Sequence, residues 1–131
     1  MSAPVPQPIA EADALAVQFT QAYYNVFDSD RSQLKNFYTN CSILSFEGMV
    51  SQGEEACVKK LQGLPFQVIK HALTTIEGQP TGFGGHIVHV VGQLKTDNDP
   101  PHSFTETFYL KPSGPQYYIL NQSFRLSLHH N

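Results

Sequence analysis

Tryptophan is absent from this chain of 131 residues, and cysteine occurs only twice, at Cys41 and Cys57. Neither cysteine belongs to a Cys-x-x-Cys pair, so reduced thiols in a cytosolic or nuclear compartment are the simplest expectation. Basic residues are few: Lys and Arg total 8 against 11 acidic residues, a net charge of −3. They are scattered, whereas a nucleic-acid binder gathers cations on one face to neutralise phosphates. A mildly acidic protein is better suited to a basic patch on a partner protein. Long apolar runs are also missing, so no segment reads as a membrane span or a signal peptide. No GxSxG, P-loop or dinucleotide fingerprint occurs. Gly82-Phe83-Gly84-Gly85 is glycine-rich but falls between two expected strands, which suits a hairpin loop rather than a phosphate cradle. The histidines do not form a metal set: His86 and His89 lie on opposite faces of an expected strand, and His129 and His130 sit in the tail. The sequence thus predicts neither metal nor cofactor.

What is present is a hydrophobic content of 40% with 9 Phe and 6 Tyr, enough for one core and one domain. Pro4, Pro6 and Pro8 exclude helix from residues 1–8, which read as a flexible leader before a single domain over 9–131. From Ile9 to Phe27 the apolar residues Ala12, Leu15, Ala16, Phe19, Tyr23, Val26 and Phe27 recur at helical spacing. A short second helix follows. Asp30 or Ser29 serves as its cap, Gln33 completes a capping-box-like pattern, and it ends near Asn40. Ser42–Phe46 reads as a strand, Glu47-Gly48 as a hairpin turn and Met49–Ser51 as the returning strand. A third helix begins at Gly53-Glu54-Glu55, turns Cys57, Leu61 and Leu64 inward, and stops at Gly63 and Pro65.

The remainder reads as strands at Phe66–Ile76, His86–Lys95, Phe104–Leu110 and Tyr117–Leu128. They are joined by a Gly/Pro loop from Glu77 to Gly85 and a polar loop from Thr96 to Pro101. In the last strand Tyr118, Leu120, Phe124, Leu126 and Leu128 are expected on one face. Helices first and long consecutive strands afterwards predict an α+β fold, three helices on one face of a curved antiparallel sheet.

Four acidic positions stand out. Asp97 and Asp99 share a proline-stiffened loop that could clamp a partner's Lys or Arg, and Glu47 adds an acid beside the aromatic Phe46. Glu106 shares a strand face with Phe104, Phe108 and Leu110. The expectation for it is the rim of a dimer interface, paired to a cation or exposed. Asp28 is expected as a cap or turn residue and His71 as a hydrogen-bonded core or rim histidine. If Asp28, His71 and Glu106 met in one pocket they would form an acid–base candidate.

Several stretches, in shared order and spacing, resemble the nuclear transport factor 2 family over Ile9–His130. They are Tyr23-Tyr24, Phe27-Asp28-Ser29-Asp30-Arg31-Ser32-Gln33-Leu34, Phe46-Glu47-Gly48, Leu64-Pro65-Phe66, Val91-Gly92-Gln93-Leu94-Lys95 with Asp97 and Asp99-Pro100, and Phe124-Arg125-Leu126 with Leu128-His129. The resemblance implies a cone-shaped α+β fold with a strongly bent sheet and a homodimer joined through sheet faces. It further implies a non-enzymatic carrier that binds the GTPase Ran in its GDP form and Phe-rich nucleoporin repeats, moving between cytoplasm, nuclear pore and nucleus. The family's Ran-facing acids fall on Glu47, Asp97 and Asp99, and its cavity for an aromatic side chain of Ran on Phe46, Leu64, Ile69 and Phe124. Two departures are visible: Phe46 replaces the Trp of animal members, and Ala12 stands where the family's repeat-binding site has Trp. No repeat-binding residue is therefore assigned. An adaptor domain for RNA-export or stress-granule partners, or an isomerase- or dehydratase-like enzyme, are the alternatives on the same fold.

Overall fold

The computed structural model describes residues 9–127, so the leader expected over 1–8 and the tail residues Leu128, His129 and His130 lie outside the described residues. Helix α1 spans Ile9–Ser29 and buries Ala12, Ala16, Phe19, Tyr23 and Phe27, together with Thr20 and Tyr24. The buried stripe is wider than apolar spacing alone marks, because Thr20 satisfies its hydroxyl on the carbonyl of Ala16 at 2.8 Å and Tyr24 meets a buried carboxylate. Where α1 crosses the sheet it touches glycine: a Cβ on Gly78 would lie 2.3 Å from the carbonyl oxygen of Ala12. Only the missing side chain permits that approach.

Asp30 caps the next segment, accepting from the backbone N–H of Ser32. That segment is a 3₁₀ helix over Arg31–Phe37, shorter than expected, and the Gln33 side chain bonds Ser32 rather than closing a capping box. Strand β1 already begins at Tyr38 and runs to Phe46, followed by β2 (Met49–Gln52), helix α2 (Glu54–Gln62), β3 (Ile69–Pro80), β4 (His86–Thr96), β5 (His102–Ser113) and β6 (Gln116–Leu126). Strand β3 starts later than Phe66 and continues through Glu77–Pro80, residues expected in the loop. The backbone of that end of β3 is held in register by β4, Pro80 facing His86. The glycine-rich loop closes the β3–β4 hairpin as expected.

The sheet order is β2-β1-β6-β5-β4-β3. All pairs are antiparallel except β1 and β6, which run parallel. The expectation of a purely antiparallel sheet is corrected here. Helix α2 and the segment after it, between β2 and β3, move the chain to the far edge, so the last strand returns beside the first with the same direction. Three register shifts, within Tyr38–Ile43 of β1, at Leu73–Thr75 of β3 and opposite Tyr109–Leu110 on β6, bend the sheet around the helices. The β6 bulge also corrects the face assignment. Leu110 pairs Ile119 and Tyr109 pairs Asn121, so Leu120 is the extra residue. Ile119 is buried in its place, and the buried set resumes at Gln122 and Phe124.

One face of the sheet carries the core, in which Phe19 and Tyr23 of α1 each pack edge-on against Phe108 at 5.1 Å. Among the described residues no helix covers the opposite face. Ile43, Ser45, Ile87, Thr107, Tyr109, Asn121 and Ser123 line a shallow trough there.

Candidate functional site

The strand ends Phe46 (β1), Phe124 and Leu126 (β6), Thr96 and Leu94 (β4), Ile69 (β3) and His102 (β5) gather at one end of the cone. With Leu64-Pro65-Phe66 after α2 and Phe27 of α1 they enclose a cavity of about 220 Å³. All four residues expected to line a pocket, Phe46, Leu64, Ile69 and Phe124, are on its wall. Phe46 and Phe124 stack at 4.4 Å with planes 8° apart. Arg31 secures the segment after α2. Its guanidinium donates to the carbonyls of Leu61 at 2.8 Å and Phe66 at 3.2 Å, and lies 4.5 Å above the Phe66 ring. Arg31, Phe27 and Phe66 had no assigned role in the sequence. Arginine's planar fork was the available signal, but its partners are backbone carbonyls some 30 residues away, which sequence order does not reveal.

The floor of the cavity is polar. His71 lines it, its side chain only 3% exposed. Asp28 binds His71 twice, accepting from the backbone N–H at 2.9 Å and meeting Nδ1 at 2.6 Å. Asp28 is thus more than a helix-end residue, since its carboxylate ties α1 to β3. The rings of Tyr24, Phe27 and Phe104 surround the imidazole at 4.6, 5.1 and 5.4 Å.

Glu106 lines the same floor. Its expected place on a dimer rim with a cation is overturned: it is 4% exposed and faces the helices. Tyr24 donates to Oε1 and the Gln122 amide to Oε2, each at 2.6 Å. Gln122 accepts from Tyr38 at 2.6 Å and donates to Tyr23 at 2.9 Å. Burial raises the Glu106 carboxyl above its ordinary value, against the lowering effect of those hydrogen bonds and of His71. Burial likewise raises the hydroxyls of Tyr24 and Tyr38 well above theirs, helped by the charge of Glu106 on Tyr24. Period-two spacing put Glu106 among apolar neighbours; that α1 supplies a hydroxyl to it required the tertiary fold.

Glu47 and Asp97 directly follow the cavity-lining Phe46 and Thr96, and Asp99 comes two residues after Asp97. Glu47 follows Phe46 in a two-residue hairpin loop in which both Glu47 (φ 51°) and Gly48 (φ 85°) are left-handed. The strain at Glu47 is held by two ties to β6: its N–H donates to the Phe124 carbonyl, and its Oε1 accepts from the N–H of Leu126. Asp97, also left-handed at φ 46°, uses the same device on the other side. Its Oδ1 accepts from the N–H groups of Gln67 at 3.1 Å and Val68 at 2.9 Å. The Asp99 carboxylate accepts a long 3.4 Å contact from Thr96, while its backbone carbonyl accepts from Lys95 Nζ at 3.1 Å. Asp97 and Asp99 are exposed, whereas Glu47 is half-buried, and Glu47 and Asp97 also build the backbone that carries them. Exposed apolar side chains stand beside them, Met49 and Val50 after the Glu47 turn and Val68 beside Asp97.

Comparison with known proteins matches residues 15–126 to the nuclear transport factor 2 (NTF2) domain. The Nuclear transport factor 2 of Schizosaccharomyces pombe is 47% identical over 121 residues, covering 91% of this chain and 98% of that protein. That of Saccharomyces cerevisiae is 45% identical, covering 88% and 94%. The structure of nuclear transport factor 2 from Cryptosporidium parvum superposes with a TM-score of 0.87 at 33% identity, covering 97% of this chain and all of that one. Alignment to these proteins runs nearly end to end and spans every element of the cone, so this chain belongs to the nuclear transport factor 2 family, whose named members here are transport factors rather than enzymes.

Proposed function

We propose that this chain is a nuclear transport carrier that binds Ran in its GDP form at the open end of the cone. The observation that carries this reading is the pairing of an aromatic-walled cavity with acids held rigidly on both sides of its mouth. An aromatic side chain of the partner enters between Phe46, Leu64, Ile69 and Phe124 and serves as the anchor. Glu47, Asp97 and Asp99 meet basic side chains around it, which fixes orientation and speeds encounter. Because Glu47 is tied to β6 and Asp97 to the segment before β3, little freedom is lost on binding. Selectivity for GDP belongs to Ran, whose switch segment changes with nucleotide.

The uncovered sheet face, with the apolar Ile87 at 42% exposure, pairs with a second copy to give a homodimer. The carrier also binds Phe-rich nucleoporin repeats and moves through the pore between cytoplasm and nucleus. Ala12 is fully buried against Gly78, so it offers a repeat no exposed ring, and that contact rests on other residues.

Titration calorimetry of the purified protein against Ran–GDP, and separately against Ran with a GTP analogue, tests the carrier. Binding confined to the GDP form, and weakened by Asp99→Asn, is expected; no binding to either form discards the reading.

A second reading has one specific observation behind it: His71 and Glu106 share the cavity floor, with Asp28 behind His71, as an acid–base enzyme requires. Against it, both Glu106 oxygens already accept protein donors, which gives the carboxylate a structural task.

A further inference from the structure

The cavity is larger and more polar at its floor than an aromatic anchor requires. A cavity of about 150 Å³ already admits benzene, and this one holds about 220 Å³. A single aromatic ring therefore leaves room for a substituent. The walls suit a ring: Phe27, Phe46, Phe66 and Phe124 line them together with Leu64 and Ile69.

The floor presents one unmatched acceptor. Asp28 meets His71 at Nδ1 and at the backbone N–H, so the ring proton resides on Nδ1 in the neutral imidazole. Nε2 is then a bare lone pair, and among the described residues it has no hydrogen-bond partner. An unpartnered acceptor on the cavity wall favours a ligand that supplies a donor over one that does not. Each Glu106 oxygen already accepts one donor, from Tyr24 or from Gln122, whereas Nε2 of His71 accepts none among the described residues.

We propose that this cavity binds a small hydroxylated aromatic, a phenol. Its ring lies among the aromatic walls, and its hydroxyl donates to Nε2 of His71. The site concerns the chain alone and does not depend on Ran binding, although an occupant would exclude any aromatic side chain entering by the same mouth.

The test is titration calorimetry of the full chain with p-cresol, toluene and p-methylanisole, followed by nitrogen NMR of the histidine-labelled protein. Saturable one-site binding of p-cresol is expected, with the Nε2 resonance of His71 shifting on occupancy. Toluene and the methyl ether, which lack the donor, should bind about tenfold more weakly. Leu64→Trp, which fills the cavity from its half-buried wall, should abolish p-cresol binding in a protein that still gives the wild-type spectrum elsewhere. Absence of saturable binding, equal affinity for the three compounds, or binding that leaves His71 unshifted would each overturn the proposal. Should Leu64→Trp fail to fold, the ligand series and the His71 resonance of the unaltered protein decide. Ran titration reads the carrier function separately, so failure of either reading leaves the other standing.

Discussion

The floor and the mouth of the cavity both depend on carboxylates, but the two regions use them differently. At the floor, Glu106 is buried and satisfied by side chains from three elements, with Tyr24 of α1 and Gln122 of β6 as direct partners and Tyr38 of β1 behind them. At the mouth, Glu47 and Asp97 take one or two backbone N–H groups of a neighbouring segment and keep the rest of the carboxylate available. A buried carboxylate holds the fold together by leaving no donor unpaired. A rim carboxylate holds a loop in a left-handed turn and, on the proposed function, offers its charge to a partner. The same residue type therefore fails differently when altered: the floor should lose stability, and the mouth should lose binding.

The largest effect is expected at the floor. Glu106→Leu strands the Tyr24 hydroxyl and the Gln122 amide without an acceptor, and should cost about 2–4 kcal/mol in chemical denaturation. Asp28→Ala releases the His71 backbone and ring, exposing about 1–2 kcal/mol by the same measurement. A loss below a few tenths of a kcal/mol in both would erase the contrast between the two regions.

pH sharpens it. The native Glu106 carboxyl titrates above its unfolded value, so the folded state binds the proton more tightly. Its contribution is fully present below the unfolded value and is lost as pH rises through the elevated native one. Stability curves of the wild type and Glu106→Gln should therefore converge in acid and separate toward neutral pH, with the wild type showing the steeper fall. A wild-type curve parallel to the variant's would remove Glu106 from that role.

At the mouth, Asp97→Ala removes the acceptor of two backbone donors and should cost about 1 kcal/mol, whereas Asp97→Asn retains an acceptor and should cost less. Both should weaken Ran–GDP binding, because the charge is gone in each. The smallest change in stability belongs to Asp99→Asn, within about 0.5 kcal/mol, with any effect confined to binding and to its salt dependence. Equal stability losses for Asp97→Ala and Asp99→Asn would contradict the structural task assigned to Asp97.

The readability of the sequence follows this same division. Local pattern carried α1, the Glu47-Gly48 turn and the strands β4 and β5, because helical and two-residue periodicities are written in consecutive residues. It misjudged the strand ends at Tyr38 and Pro80 and the face of Leu120, because partner strands and bulges decide those. The cavity wall was legible through the family resemblance at Phe46, Leu64, Ile69 and Phe124. Glu106 was misread because an acid among apolar residues has two outcomes, and only the arrival of Tyr24 from α1 separates them.

By itself, then, the sequence determined the α+β class, the helical first segment, the family and the placing of acids beside aromatics, since each rests on residue type and spacing. The tertiary structure alone decided the parallel return of β6 beside β1, the closing of Asp28 on His71 and the burial of Glu106. Each of these joins residues far apart in the chain, and their contact energy exists only once the sheet has bent around α1.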